Sequence, residues 1–297
     1  MSRPLFLCMK SYGQSEYKGK KLTFGGMHMP ELPEMENYKR NLNQLLQNKM
    51  ITDVIINREK SVNVTPIVFI GTVRGTTIQA VERRAKHLLF RLSNNKVLLL
   101  HLMLGGWMYY SEEKDKPKRT VQVQLSFGEK HLYFIGLRLG YLHLYTEQEV
   151  EQELADLGPE PLDASFTEAQ FLTYIEKKRG MLKLKLVDQH FLSGIGNCYS
   201  DEICYDARLL PDRKLEDLSS DELSALYTSI RTVLPEATEI GGYMEHPLYV
   251  GDTKTGAYND KCRVYDCEGQ PCQRCGNKIV KTEISSKKTF FCPVCQH

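Results

Sequence analysis

Residues 271–296 read PCQRCGNKIVKTEISSKKTFFCPVCQ, and this stretch decides how the C-terminal part of the chain folds. It holds two CxxC pairs, Cys272 with Cys275 and Cys292 with Cys295, separated by sixteen residues. Two such hairpins bring four thiolates to one ion, and a spacer of about 15 to 20 residues is typical of zinc. Four free thiols or a redox dithiol are the alternatives, but so short and polar a segment has no other source of a core. We therefore predict one structural Zn²⁺.

The segment between the two pairs predicts a β-hairpin whose tip carries Lys287 and Lys288. A hairpin held rigid by metal could bring these lysines to phosphates. A solvated pair of surface charges is an equally good interpretation of the same residues.

The composition limits the possible classes of protein but does not identify a binding partner. The 297 residues are 41% hydrophobic, enough for two or three domains with their own cores. Thirty-nine Lys and Arg against 37 Asp and Glu leave a net charge of +2, so any basic surface must be local. No apolar run is long enough to span a bilayer, and the first residues lack a secretion signal. Nine cysteines then indicate reduced thiols in the cytoplasm.

The rest of the chain divides into a β-rich part and a helical part. A helix is predicted after PELPEME (30–36), with Tyr38, Leu42, Leu45 and Leu46 on one face. Residues 50–145 contain six stretches rich in Val, Ile, Leu, Tyr and Thr, which predict a β-sandwich. An acidic, proline-bearing linker follows at 147–165.

Two capping boxes begin the predicted helices of residues 166–242. Thr167 with Gln170, and Ser219 with Glu222, each place a side-chain oxygen over the first free amides of a helix. Pro235 should end or kink the second of these helices early.

A glycine-rich turn, SGIGN at 193–197, separates two apolar helical patterns. The glycines permit a tight turn, and Asn197 can cap the following helix, so the exposed amides there would suit an anion. Helical hairpins with glycine are also common packing devices that need no ligand.

Four motifs in this order resemble the formamidopyrimidine-DNA glycosylase and endonuclease VIII family. They are PELPEME (30–36), ERRAKHLLF (82–90), LGPEPL (157–162) with DQHFLSGIGNCYSDE (188–202), and the cysteine segment. The resemblance covers residues 30–297. It implies an α+β chain with a β-sandwich catalytic domain and its N-terminal helix (30–146), a helix-two-turn-helix domain (166–242), and a lesion-loop region with a zinc-ribbon finger (243–297).

The resemblance also implies an activity: excision of oxidised bases from duplex DNA, followed by cleavage at the abasic sugar through a Schiff base. It identifies Pro30, as N-terminal residue, with the amine nucleophile and Glu31 with the proton shuttle. Lys86 matches the lysine that approaches the lesion and its phosphate. The residues alone would make Pro30 an ordinary helix-start proline and Lys86 part of an amphipathic strand.

Further positions are DNA contacts by the same resemblance. His101 corresponds to a histidine on a phosphate, with a core histidine as the equal alternative. Lys183 and Asn197 match backbone contacts, which give affinity and register rather than sequence specificity. Where relatives have arginine at the finger tip, this chain has Lys287, which replaces a bidentate phosphate contact by a point charge.

The residues that would fill the gap left by a flipped base depart from the family. The formamidopyrimidine branch uses methionine, arginine and phenylalanine, and the aligned positions here are Leu104, Leu137 and Leu139. Leucines can occupy a vacated stack but cannot hydrogen-bond the orphaned partner base.

The 28 residues before Met29 are a second departure, because they would leave Pro30 with an amide nitrogen. We expect residues 1–29 to be a leader that is untranslated or disordered: Gly25-Gly26 can be encoded by a sequence resembling a bacterial ribosome-binding site. Translation from Met29 and removal of that methionine would then make Pro30 the first residue.

The expected protein is a monomeric bacterial enzyme of the cytoplasm and nucleoid that acts on damaged double-stranded DNA, with zinc but no small-molecule cofactor and no membrane. A non-catalytic paralogue that binds damaged or unusual DNA is the alternative. A zinc-ribbon RNA-binding protein would not explain PELPE. Preference for oxidised purines or pyrimidines stays open.

Overall fold

The computed structural model describes residues 29–297 in full, and before them only the backbone of two short antiparallel strands, β1 (Ser15–Tyr17) and β2 (Lys20–Leu22). The rest of the leader expected at residues 1–29 lies outside the described residues, apart from Met29.

The first helix, α1 (Leu32–Leu46), lies between the two main domains. Pro33 occupies its first turn, where a missing backbone N–H leaves no partner unsatisfied. Tyr38, Leu42 and Leu46 are fully buried in the core of the sandwich, which confirms the predicted apolar face. Leu32, at the helix start, instead joins the core of the helical domain.

Two four-stranded antiparallel sheets form the predicted β-sandwich, with an apolar core between them. One sheet has the order β10-β6-β5-β4 and the other β3-β8-β9-β7. The strands are β3 (Asp53–Ile56), β4 (Ile78–Arg84), β5 (His87–Leu92), β6 (Lys96–His101), β7 (Trp107–Glu112), β8 (Val121–Phe127), β9 (Lys130–Ile135) and β10 (Tyr141–Thr146). A short helix, α2 (Pro66–Val73), packs beside β3.

The region predicted as a linker begins with a helix, α3 (Glu147–Glu153). Thr146 and Glu149 form a capping box at its start, and Val150 packs on the outer face of the first sheet. The first turns of the linker between the two domains are therefore packed on the sandwich.

The helical domain contains α4 (Glu168–Ile175), α5 (Leu182–Val187), α6 (Asn197–Asp206) and α7 (Ser220–Ile240). Both predicted capping boxes are present, at Thr167 and at Ser219. The expected early end at Pro235 is wrong, because α7 continues through it to Gly241, which has a φ of 99°. Val233, Leu234 and Ala237 are fully buried on both sides of the proline, so packing holds the helix together where one backbone hydrogen bond is missing.

The C-terminal finger is the predicted hairpin, β11 (Val280–Ile284) paired with β12 (Lys287–Phe291). Ser285 and Ser286 form its two-residue turn, both with positive φ, as a tight hairpin of this kind requires. Phe290 enters the core of the helical domain, so the finger is packed on that domain. Among the helices of the described chain, none has the length and apolarity that a bilayer span would need.

Candidate active site

The carboxylate of Glu31 lies at the N-terminus of α6, at the junction of the two main domains. Its Oε2 accepts the backbone N–H of Gly196 at 2.6 Å, and its Oε1 accepts that of Cys198 at 2.8 Å. A third N–H, from Tyr199, lies 3.3 Å from Oε2. The adjoining backbone is fixed as well, because Leu32 N–H donates to the Gly194 carbonyl at 2.9 Å. Helix amides favour a negative group here, so the glycine turn has its anion partner inside the chain.

Lys86 faces the same carboxylate. A Cβ on Gly196 would lie 2.7 Å from Glu31 Oε1 and 2.7 Å from Lys86 Nζ, so only glycine leaves room for both groups. Burial raises the pKa of Glu31, opposed by Lys86 and the three amides. Burial also lowers the pKa of Lys86, with Lys287 of the finger adding to that effect. Both shifts favour the neutral forms, which proton transfer and amine chemistry need.

Glu34 is a second buried carboxylate beside Glu31. Its Oε1 accepts the Tyr199 hydroxyl at 2.6 Å and the Tyr243 N–H at 2.8 Å, and its Oε2 accepts the Glu31 N–H at 2.8 Å. Burial, followed by the charge of Glu31, raises the pKa of Glu34 to about 7. A Cβ on Gly242 would come within 2.2 Å of Glu34 Oε1, so this close approach requires glycine.

Glu160 of the linker holds the turn that carries Lys86. Ala85 has a φ of 53°, and its N–H donates to Glu160 Oε1 at 2.5 Å. Arg84 forms an ion pair with Glu160 and donates to Ser193 Oγ at 2.6 Å. The LGPEPL motif therefore ties the lysine turn to the glycine turn.

His101 is a neutral hydrogen-bond donor at the edge of this site. Its Nδ1 accepts the Met103 N–H at 3.0 Å, which places the ring proton on Nε2. Burial, with a smaller effect of Lys86, lowers the pKa of His101 to about 4. A neutral Nε2–H suits a phosphate oxygen without adding charge.

Lys183 does not reach the surface, so its predicted DNA contact needs correction. Its side chain is fully buried, and Nζ donates to Asn197 O at 2.8 Å, Ser200 Oγ at 2.9 Å and Asp201 Oδ1 at 2.6 Å. These partners use all three N–H groups of the ammonium. Lys183 instead fixes the first turn of α6.

Asn197 is the first residue of α6 rather than its cap. Gly196 occupies the cap position, and the carboxylate of Glu31 takes the place of a capping side chain. Asn197 Nδ2 donates to the Lys288 carbonyl at 2.9 Å, which ties the helix start to the finger tip. The side chains of Lys287 and Lys288 are exposed there.

The three leucines predicted to fill a base gap have different environments. Leu139 is 63% exposed, and Leu104 is half-buried. Leu137 is fully buried in the sandwich core, and its N–H donates to Gln122 Oε1. It cannot enter a DNA stack without opening that core, so this assignment is wrong, whereas Leu104 and Leu139 remain predictions.

The four cysteines of the finger converge as a metal site requires. Their sulfur atoms all lie within 4.8 Å of one another. The Cys272–Cys295 and Cys275–Cys292 sulfur pairs are 3.8 Å and 3.6 Å apart. Zn–S bonds of about 2.3 Å in a tetrahedron give S···S edges of about 3.8 Å, and these separations are too long for disulfides. The site fits one structural zinc ion.

Helix α6 also holds the finger and the segment before it. Asp201 accepts the Phe290 N–H at 3.0 Å from strand β12. Glu202, fully buried, accepts the N–H groups of Arg263, Val264 and Tyr265 at 2.9 to 3.0 Å. Helix α6 thus contacts Glu31, the finger and the segment that precedes the finger.

Sequence reasoning missed several of these positioning residues. Glu160 and Arg84 lie inside the LGPEPL and ERRAKHLLF motifs, and their opposite charges were the only signal in the sequence for this pairing. Tyr199 follows Asn197 in GNCYSDE, but nothing in the sequence pairs it with Glu34 across 165 residues.

A β-sandwich, a helix-two-turn-helix domain and a four-cysteine finger meeting at buried Glu31 and Lys86 define a DNA glycosylase. The chain belongs to the formamidopyrimidine-DNA glycosylase family. Residues 29–141 match the N-terminal domain of formamidopyrimidine-DNA glycosylase, 157–246 its H2TH domain, and 269–297 the zinc finger found in FPG and IleRS. Strand cleavage at the abasic site is the family's accompanying lyase activity.

Similar proteins cover nearly all of the described chain. Formamidopyrimidine-DNA glycosylase of Listeria innocua is 35% identical over 274 residues, which span 90% of this chain and 100% of that protein. The Desulfitobacterium hafniense (strain DSM 10664 / DCB-2) protein of the same name is 33% identical over 272 residues, again 90% and 100%. A complex of the Lactococcus lactis Fpg with abasic-site DNA matches with a TM-score of 0.83 at 28% identity, covering 90% of this chain and 99% of that one.

Proposed function

We propose that this chain excises oxidised bases from duplex DNA and cleaves the strand through an imine on Pro30, which becomes the N-terminus when Met29 is removed. The observation that carries the proposal is the placement of Glu31, next to Pro30, on three amides of α6 and beside Lys86. Pro30 itself is buried at the same junction.

The nucleophile would be the secondary amine of Pro30. A chain-terminal amine has a reference pKa of about 8, against about 10.4 for lysine, so a far larger fraction is neutral at physiological pH. The buried surroundings favour the neutral amine further. Its lone pair would attack the sugar C1′, and the base would leave.

Glu31 would move the protons. Because burial raises its pKa, the carboxyl is available as an acid for the sugar oxygen that leaves C1′. The resulting carboxylate can then accept the C2′ proton during elimination. Its three amide partners hold the group in place in both states.

The DNA backbone would be held by groups around this centre. Lys86 and the Nε2–H of His101 would contact phosphates next to the lesion, and Lys287, Lys288 and Asn197 would contact them from the finger side. Leu104 and Leu139 would enter the vacated base position. These contacts supply affinity and register, not sequence readout.

The zinc ion would act structurally. Cys272, Cys275, Cys292 and Cys295 would hold it, and it would keep the finger tip rigid beside α6. No step of the reaction needs it. We further propose that the enzyme is a monomer working in the bacterial cytoplasm on the nucleoid, without a small-molecule cofactor or a membrane.

Borohydride trapping on a duplex with one abasic site tests the proposal. Protein started at Met29 should form a reduced covalent adduct, whereas Pro30→Gly, which replaces the secondary amine by a primary one, should trap more slowly. Protein that retains the leader should form none. Binding without an adduct in any form would refute the proposal and favour a non-catalytic DNA-binding protein.

A panel of duplexes then defines the lesion. Each duplex carries one oxidised purine or one oxidised pyrimidine opposite each of the four bases, and single-turnover base release is measured. If no duplex releases its base although the abasic duplex is trapped, the protein is a lyase without glycosylase activity.

A further inference from the structure

The hydroxyl of Tyr243 lies against the peptide bond that precedes Pro30. It donates a hydrogen bond to the Met29 carbonyl oxygen at 3.1 Å. Tyr243 comes from the segment directly after α7, more than 200 residues from Met29 along the chain. It is 4% exposed, so solvent has little access to this contact.

The Met29–Pro30 peptide bond marks where an imine would form. Its carbonyl carbon is planar and bonded to the Pro30 nitrogen, as the sugar C1′ would be in the imine. In the carbinolamine that precedes the imine, C1′ is tetrahedral and carries the oxygen that must leave, and the bond to that oxygen breaks perpendicular to the later imine plane. The Met29 carbonyl oxygen lies in that plane, and it shows that a substituent on this carbon comes within hydrogen-bonding reach of the Tyr243 hydroxyl.

From this correspondence, and resting on the function proposed above, we propose that Tyr243 is a further catalytic residue. Its hydroxyl donates a hydrogen bond to the sugar oxygen that leaves C1′ as the imine forms.

The ring of Tyr243 is fixed for this task. Its backbone N–H donates to Glu34 Oε1, and its ring packs edge-to-face against Tyr199 and Tyr265, with centroids 5.7 Å apart in each case. Gly242, with a φ of 73°, lets the chain approach Glu34 closely enough for this hydrogen bond. A donor held this way needs no reorganisation when charge develops on the oxygen.

The atoms and charges of this step balance, and the tyrosine keeps its proton. The nitrogen lone pair forms the second bond to C1′, the C1′–O bond breaks, and its electron pair stays on oxygen. That oxygen takes the proton of the Glu31 carboxyl, which gives an iminium cation, a carboxylate and a hydroxyl group or water. Burial, together with Glu31, raises the pKa of Tyr243 well above its usual value, so the phenol stays protonated and only donates a hydrogen bond.

Tyr243→Phe in the protein started at Met29 tests the proposal, with Tyr258→Phe as matched control. Tyr258 belongs to the same loop region and is fully buried, and its hydroxyl has no hydrogen-bond partner among the described residues. Removing that hydroxyl should therefore change nothing. The rate of borohydride trapping is measured at saturating protein on an abasic duplex, so affinity does not enter.

We expect Tyr243→Phe to trap roughly a hundredfold to a thousandfold more slowly than the control, the effect of losing one preorganised donor. Melting temperature and affinity for a duplex with a tetrahydrofuran abasic analogue should match the control, which a packing defect would not allow. A decrease of less than about fivefold, or a larger one accompanied by matching losses of stability and affinity, would overturn the role of Tyr243. Failure of the unsubstituted protein to trap would instead refute the proposed function.

Discussion

Replacement of Lys183 by methionine tests whether this lysine forms a buried ion pair or contacts DNA. Methionine fills a similar apolar volume but leaves the Asp201 carboxyl buried without its cation, with one remaining N–H partner from Phe290. Breaking a buried pair in this way costs about 3 to 5 kcal/mol. At about 2 to 4 °C per kcal/mol for a chain of this size class, the melting temperature should fall by roughly 6 to 20 °C.

The assay combines thermal unfolding with the salt dependence of binding to a tetrahydrofuran duplex, well below the melting temperature. Loss of one phosphate contact would reduce the slope of log K against log salt by about 0.9. We expect Lys183→Met to leave this slope unchanged. Lys288→Met is the matched control: Lys288 is exposed at the finger tip and is proposed above to contact phosphate, so its loss should reduce the slope and barely change stability.

A second substitution checks the cause of the instability. With Asp201→Asn added, the site no longer holds a buried carboxyl without its cation, and the amide oxygen can still accept the Phe290 N–H. The double variant should recover at least half of the lost stability. An unchanged melting temperature for Lys183→Met together with a slope reduced by about 0.9 would refute the buried-pair interpretation.

Three more outcomes are expected. Gly196→Ala should abolish trapping while the protein stays folded, because the added Cβ would displace Glu31 and Lys86; a rate within tenfold of the unsubstituted protein, measured by borohydride adduct, would contradict this. The folded-state pKa of His101 lies near 4, below its unfolded value of 6.5, so its contribution to stability is complete above pH 6.5 and lost as pH falls toward 4. Protonation of His101 at low pH should therefore cost the folded state about 3 kcal/mol of stability. His101→Gln should flatten the melting-temperature profile between pH 7 and pH 4, and profiles that run parallel for the two proteins would count against this prediction. Cys275→Ser should release zinc, measured with a chromogenic chelator, and weaken tetrahydrofuran-duplex binding at least tenfold; full zinc retention would argue against the four-sulfur site.

Local patterns predicted the parts of the fold that depend on neighbouring residues. The zinc ligands followed from two CxxC pairs at a set spacing, and the helix starts at Thr167 and Ser219 followed from capping boxes four residues long. The apolar face of α1 followed from helical periodicity. Each of these features is decided within one element or one turn.

Contacts between distant residues could not be predicted in this way. Lys183 looks like any surface lysine until α6 brings Asp201 beside it. Leu137 and Leu139 are two residues apart, which in a strand would put them on the same face, but the turn after β9 buries the first and exposes the second. Pro235 carries a strong local signal to end a helix, but buried neighbours on both sides outweigh it.

Helix α6 has a consequence for biosynthesis. Its amides need Glu31 from near the start of the described chain, and Asp201 needs the backbone of Phe290 from near its end. Contacts of such high sequence separation form late, because the intervening chain must first be closed into loops. A nascent chain still lacking its last strand therefore leaves the buried carboxylate of Asp201 short of its finger partner. The active site should therefore be complete only once β12 has been made and packed against α6.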